Sequence, residues 1–198
     1  NRGNKKQLWK KESFFCSFFS MLVAMVLDVT FVMSQSIEDL TAILSETPEL
    51  TVTEPESGFP VIEVQTPVSA ATIALHGAQV LTWAPTDHPP VLYVSPKAKM
   101  NEGKALRGGI PICWPWFGNH PDDPEMPAHG FARTRFWELV SGEMVGKMAT
   151  LVFKLVSDEE TKALFPFDFE LTATIRVADK LRVKLNMKNT GDEIYKVS

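Results

Sequence analysis

Phe169-Glu-Leu-Thr-Ala-Thr-Ile-Arg-Val177 alternates apolar and polar residues without a break. Successive side chains of an extended chain point to opposite sides, so this spacing puts every apolar residue of the segment on one face. A helix would scatter the same residues around its axis. The segment therefore demands a sheet with one dry face and one wet face, and the dry face demands a second layer to cover it.

The same rhythm recurs along the chain. Leu50–Thr53, Pro60–Val64, Ser69–Leu75, Gln79–Ala84, Val91–Val94, Arg135–Ser141, Thr150–Val156 and Leu181–Met187 all read as short strands. His76-Gly77-Ala78 supplies the turn between two of them. Helix is scarce. Ile37–Leu44 reads as a short amphipathic helix with a Ser36/Asp39 capping box, and residues 157–160 open one or two helical turns before Pro166. Short strands with turn punctuation and no βαβ alternation predict a mainly β fold, an antiparallel β-sandwich. No phosphate-cradling glycine motif is present, which demotes dinucleotide and nucleoside triphosphate chemistry.

Charge narrows the partners. The 198 residues carry a net charge of −4, where a general nucleic-acid binder would be basic. Residues 1–32 are locally basic, so the remainder is more acidic still, and any anion it binds needs Arg or Lys placed for the purpose. Cys16 and Cys113 are too few and too far apart for a disulfide framework or a cysteine-based zinc site. A cytoplasmic, reducing compartment is expected.

The two ends stand apart. An uncharged run from Ser13 to Leu27 follows a basic stretch, the outline of a signal-like segment, yet it is shorter than the roughly 20 residues that span a bilayer. Residues 1–32 read as an extension outside the main domain, either upstream translated sequence before Met33 or a signal-like segment, with no stable membrane insertion. Residues 33–49 form a helical lead-in and residues 50–198 the sandwich domain. Glu193 to Ser198 begin another strand that leaves an unpaired edge, so the expected sandwich is cut short at its C-terminal side.

Residues 95–130 are dense in Pro and Gly, and they hold the chemistry. Arg107-Gly-Gly-Ile-Pro-Ile-Cys-Trp-Pro-Trp-Phe-Gly118 combines a five-donor guanidinium with glycines that allow close backbone approach and flat aromatic faces suited to a sugar ring. The same aromatics would equally well cap the end of the core. His129-Gly-Phe-Ala-Arg133 adds an imidazole and a second guanidinium. That histidine is also a residue type that often serves structure alone. Arg107, Trp116, His129 and Arg133 are the candidate substrate-binding residues, and the two arginines suit a dianion such as a sugar phosphate. His120, Asp122, Asp123 and Glu125 lie between the clusters at no metal-ligand spacing, so no metal is expected.

The two clusters, with Leu75-His-Gly-Ala-Gln-Val-Leu-Thr-Trp83 and Leu92-Tyr-Val-Ser-Pro96, resemble the hexose-6-phosphate mutarotases (glucose-6-phosphate 1-epimerases) of the aldose 1-epimerase superfamily. The similarity runs from about Leu50 onward. It implies a galactose mutarotase-like supersandwich, working without metal or cofactor on a small-molecule hexose phosphate; a monomer is the separate expectation for the chain. The reaction it implies interconverts α and β anomers: a glutamate takes the anomeric proton, a histidine protonates the ring oxygen, and the ring opens and recloses. By the same resemblance Arg107 and Arg133 bind substrate and His129 hydrogen-bonds sugar oxygens. Some members place a substrate-binding glutamine just before that histidine, where this chain has Ala128. The family's catalytic His and Glu fall beyond Ser198, so none of the chain's own residues is assigned as catalytic. A non-catalytic carbohydrate or sugar-phosphate binding module is the alternative expectation.

Overall fold

A computed structural model describes residues 35–198 apart from Pro96 and Glu102; the expectations for residues 1–32 lie outside the described residues. Eight strands among the described residues build two four-stranded antiparallel sheets, each in simple chain order. The first holds β1 (Leu50–Glu56), β2 (Phe59–Gln65), β3 (Ser69–Ala74) and β4 (Gln79–Pro85). The second holds β5 (Glu138–Val145), β6 (Met148–Val156), β7 (Phe169–Val177) and β8 (Leu181–Asn189).

The alternation in the sequence sets which face is dry. On β7 every second residue from Phe169 to Val177 is buried, and the residues between them are half-buried or exposed. Ile62, Ile73 and Val80 from the first sheet share one continuous core with Leu151, Phe153, Leu171 and Ile175 from the second, all completely buried. Burying each of these side chains stabilises the fold by roughly 1.5–3 kcal/mol relative to leaving it in water. β8 pairs with β7 over nine residues, yet its Leu181, Val183 and Leu185 are only half-covered.

Two short helices close the sandwich. In α1 (Ile37–Ile43) the Ser36 hydroxyl accepts from Asp39 N–H and the Asp39 carboxylate accepts from Ser36 N–H, each at 3.1 Å, the expected capping box. Leu40 and Leu44 then enter the core, and the Leu44 side chain lies where a Cβ on Gly142 would sit. Just before the helix, the Gln35 amide bonds both the N–H and the carbonyl of Leu139. α2 (Glu159–Leu164) starts from an Asp158 cap.

Three strand expectations needed correction. Val91–Val94 is not a strand: Pro89 and Pro90 break the pairing leading into it, Val91 N–H reaches β4 at Trp83 O, and Val94 bridges instead to Gly108, so its bonds are split between two partners and no ladder forms. The strand expected at Arg135–Ser141 begins at Glu138 and runs on to Val145, held there by pairing with β6. Residues 193–198 form no strand; Ser198 instead exchanges backbone hydrogen bonds with Pro115 and Phe117, at 3.1 and 2.7 Å.

Candidate functional site

The long connection between β4 and β5 folds back on the end of the first sheet, and main-chain contact holds it there. Ile110 N–H donates to Val80 O and Gly109 N–H to Tyr93 O, both at 2.9 Å. Gly109 has φ +62°, and a Cβ there would collide with Val80 O. Only glycine meets both conditions. Inside β4 the fully buried Gln79 donates its amide N–H groups to Gly108 O at 2.6 Å and Leu106 O at 3.3 Å. The carbonyls on either side of Arg107 are thus fixed from within the sheet.

The two motifs then lie side by side. Phe131 and Ala132 donate to Trp114 O at 3.0 and 3.2 Å, and Trp114 and Gly130 form a parallel bridge. Gly130, at φ +67°, rests so closely on Trp114 O that a Cβ would overlap it. His129 N–H donates to Gly118 O at 2.6 Å, while Gly118 N–H donates to His129 Nδ1 at 3.1 Å. Nδ1 is therefore an acceptor, and the proton of the neutral ring sits on Nε2, the nitrogen left to donate to a ligand. His129 itself adopts φ +67°, a left-handed conformation that a side chain rarely takes.

Arg107, His129 and Arg133 line one open groove of about 750 Å³. Lys104 lines it too, so four cationic or imidazole side chains share the cleft. None of the described residues lining the groove is Asp or Glu. Arg133 is the middle residue of the short 3₁₀ turn Ala132–Thr134 and donates from Nη2 to Ala128 O at 2.7 Å; its Nε has no hydrogen-bond partner among the described residues. Ala128 thus serves the site through its carbonyl oxygen.

Trp116 sits elsewhere. Its ring is 4% exposed, packed edge-on to His120 and Phe131, and its Nε1–H donates to Pro127 O at 2.9 Å. Trp114 is deeper, against Phe131, Phe165 and Phe169 with ring centroids 5.6, 5.2 and 4.4 Å away. Both tryptophans take the core-capping role that the sequence left open, since indole area is worth more inside the sandwich than beside water. Phe117 is the exposed aromatic of the motif, and its ring stands 4.8 Å from that of His129.

An ion network braces the site from outside. Arg135, two residues after Arg133, pairs with Asp158 at 2.7 Å and with Glu160. Burial pushes the Asp158 carboxyl up, but the Thr161 N–H and hydroxyl and the Arg135 guanidinium outweigh it and hold the group below the ordinary carboxylate range. Lys162 and Asp168 form a separate exposed pair at 2.7 Å.

Sequence reasoning passed over Lys104 and Gln79. Lys104 had a usable signal, lying three residues before Arg107 in Lys-Ala-Leu-Arg. Gln79 had a weaker one, a polar residue opening an apolar strand. His120 accepts backbone N–H bonds from Asp122 and Asp123, a local turn role. Among the described residues no three His, Cys, Asp or Glu side chains gather in a group that could hold a metal ion, and no helix is long and apolar enough to cross a membrane.

Two antiparallel sheets with a loop-built groove lined by Lys104, Arg107, His129 and Arg133 define a β-sandwich with an open polar cleft at its rim. The chain belongs to the aldose 1-epimerase family, whose model matches residues 60–197. It is 41% identical over 124 residues to an Escherichia coli K12 protein named "Putative glucose-6-phosphate 1-epimerase", covering 63% of this chain and 42% of the relative. A crystal structure of "a putative mutarotase (YeaD)" from Salmonella typhimurium superimposes with a TM-score of 0.69 at 37% identity, covering 72% of this chain and 48% of that one. A galactose mutarotase-like protein from Lactobacillus casei shares the fold at 22% identity, with a TM-score of 0.53, over 65% of this chain and 44% of that one. The chain spans about two fifths of the length of the curated E. coli relative and about half of the Salmonella structure. The expected supersandwich class and the family resemblance both stand.

Proposed function

We propose that this chain forms the substrate-binding part of a hexose-6-phosphate 1-epimerase, holding the sugar phosphate while the ring opens and recloses. The observation that carries the proposal is the convergence of Arg107, His129 and Arg133 on one groove. Guanidinium groups match phosphate oxygens in a two-pronged geometry, and the Nε2–H of His129 suits a sugar hydroxyl or ring oxygen. Lys104 adds a point charge. The name of the E. coli relative supports a phosphorylated hexose as the substrate class, and that of the Salmonella structure supports mutarotation.

Ring opening needs a base on the anomeric hydroxyl and an acid on the ring oxygen. The groove supplies donors and positive charge, but none of its described lining residues is a carboxylate. That one fact favours a second outcome for the chain taken alone: it binds sugar phosphate and does not turn it over.

Calorimetry with glucose 6-phosphate and with glucose tests the binding, and polarimetry tests the chemistry. Saturable binding of the phosphate ester, weakened about tenfold or more in Arg107→Ala and Arg133→Ala, is the expected result, since a charged hydrogen bond contributes about 1.5–3 kcal/mol. Equal affinity for glucose, or variants that bind like the parent, would reject the groove. Binding without faster mutarotation identifies a binding module; binding with faster mutarotation identifies a complete enzyme.

A further inference from the structure

The outer face of the second sheet carries a group of cations that the groove does not use. Antiparallel register places Arg176 of β7 directly opposite Arg182 of β8, and Thr174 directly opposite Lys184. These four side chains line a dent of about 270 Å³. Directly opposed residues on one face of an antiparallel pair lie about 5 Å apart at Cβ, and like charges so placed repel.

Among the described residues no ion pair includes Arg176, Arg182 or Lys184. The acid nearest along their row is Glu143, which pairs with Thr150, which in turn pairs with Arg176. Two strand spacings put it roughly 10 Å away. Asp179 lies in the β7–β8 turn and makes no ion pair. Three cations held together on a chain of net charge −4 are a local arrangement, not the overflow of a basic protein.

We infer that Thr174, Arg176, Arg182 and Lys184 form an anion site, separate from the sugar groove, that takes a phosphate group. Two guanidinium forks, an ammonium and a hydroxyl present enough donors for the tetrahedral oxygens of one phosphate, and a bound dianion converts the repulsion between the arginines into attraction. The dent fits a compact group. An extended polyanion would need the charge to continue along the face, and there Glu170 stands opposite Lys188. Free orthophosphate and a phosphate monoester present the same chemistry to this site.

The test is a titration of the ¹⁵N-labelled full chain with sodium phosphate, read by amide chemical shifts against a sodium chloride control of matched ionic strength. The expected result is saturable shifts at residues 174–176 and 182–184, absent from the chloride control. Affinity should fall about tenfold or more in Arg176→Gln/Arg182→Gln. Glucose 6-phosphate separates the sources: equal shifts at these residues mark a site for phosphate monoesters, and a response to orthophosphate alone marks one for the free ion. Arg182→Gln should also raise Tm by about 1–3 °C in phosphate-free buffer by removing the repulsion, and phosphate should then stabilise the parent more than the variant, in which only the sugar groove is left intact. Shifts confined to residues 104–109 and 129–133, shifts reproduced by chloride, or an unchanged affinity in the double variant would overturn the inference. The first of these would still leave the groove proposal standing.

Discussion

The second sheet and the loop region of residues 86–137 achieve order by opposite means. In its central strands, β6 and β7, side chains do the specifying: alternate apolar residues find the core, and the two backbones pair in one uninterrupted ladder. In the loop region backbone specifies backbone. Gly109 lies on Val80 O, Gly130 on Trp114 O, and the Gln79 amide ties Leu106 and Gly108 to β4. A side-chain core tolerates a change by leaving a hole or repacking around it. A main-chain contact tolerates almost nothing larger than hydrogen.

That contrast can be broken by experiment. Phe153→Ala in β6 should cost about 3–5 kcal/mol, because it removes a fully buried ring and leaves a cavity. Gly109→Ala adds one methyl group, yet it should cost a comparable amount, about 3 kcal/mol or more, through the clash with Val80 O and a positive φ together. Denaturant unfolding of both variants checks this; a Gly109→Ala chain within about 1 kcal/mol of the parent would refute main-chain locking, given the usual size of harmless substitutions.

Gln79→Leu sharpens the comparison. It keeps the side-chain volume roughly constant and strands two carbonyls, so a loss of about 2 kcal/mol is expected. Under the proposed function, sugar-phosphate affinity should fall with it, because Arg107 sits between those carbonyls. Unchanged affinity in a folded Gln79→Leu chain would show that Arg107 is held by something else.

The smallest effect concerns the ion network. The Asp158 carboxyl is held below its unfolded value, so its stabilisation is fully present above the unfolded value and fades as pH falls through the folded one. Asp158→Asn should lower stability by about 1 kcal/mol near neutrality, chiefly through the weaker pairing with Arg135, and should flatten the loss of stability below about pH 4. A parent and variant with parallel pH profiles would show that the network contributes nothing there.

The sequence made the sheets legible because period-2 alternation is a local property that directly encodes which face is buried. Phe169–Val177 was recoverable to the residue, and the Ser36/Asp39 cap marked α1 without ambiguity. Strand ends were less clear where prolines or bulges intervene, as at Val91–Val94 and at the register shift between Leu139 and Ser141. In the site, Arg107, His129 and Arg133 announced themselves by charge and by the glycines around them. The destination of Trp116 did not, because an indole next to a proline suits a sugar face and a core cap equally well until its neighbours are known. Gln79 was hidden for a related reason: its partners lie 27 and 29 residues away, beyond any local pattern.

The intimacy of Gly109 with Val80 and of Gly130 with Trp114 bears on how such chains diverge. A lineage under no demand to bind an anion would be free to exchange the groove arginines, yet it could not exchange these glycines without disturbing the fold. The most durable part of the signature is therefore a record of architecture. Descendants that share the glycines and have shed the cations would be expected to keep the shape of the cleft and to fill it with something else.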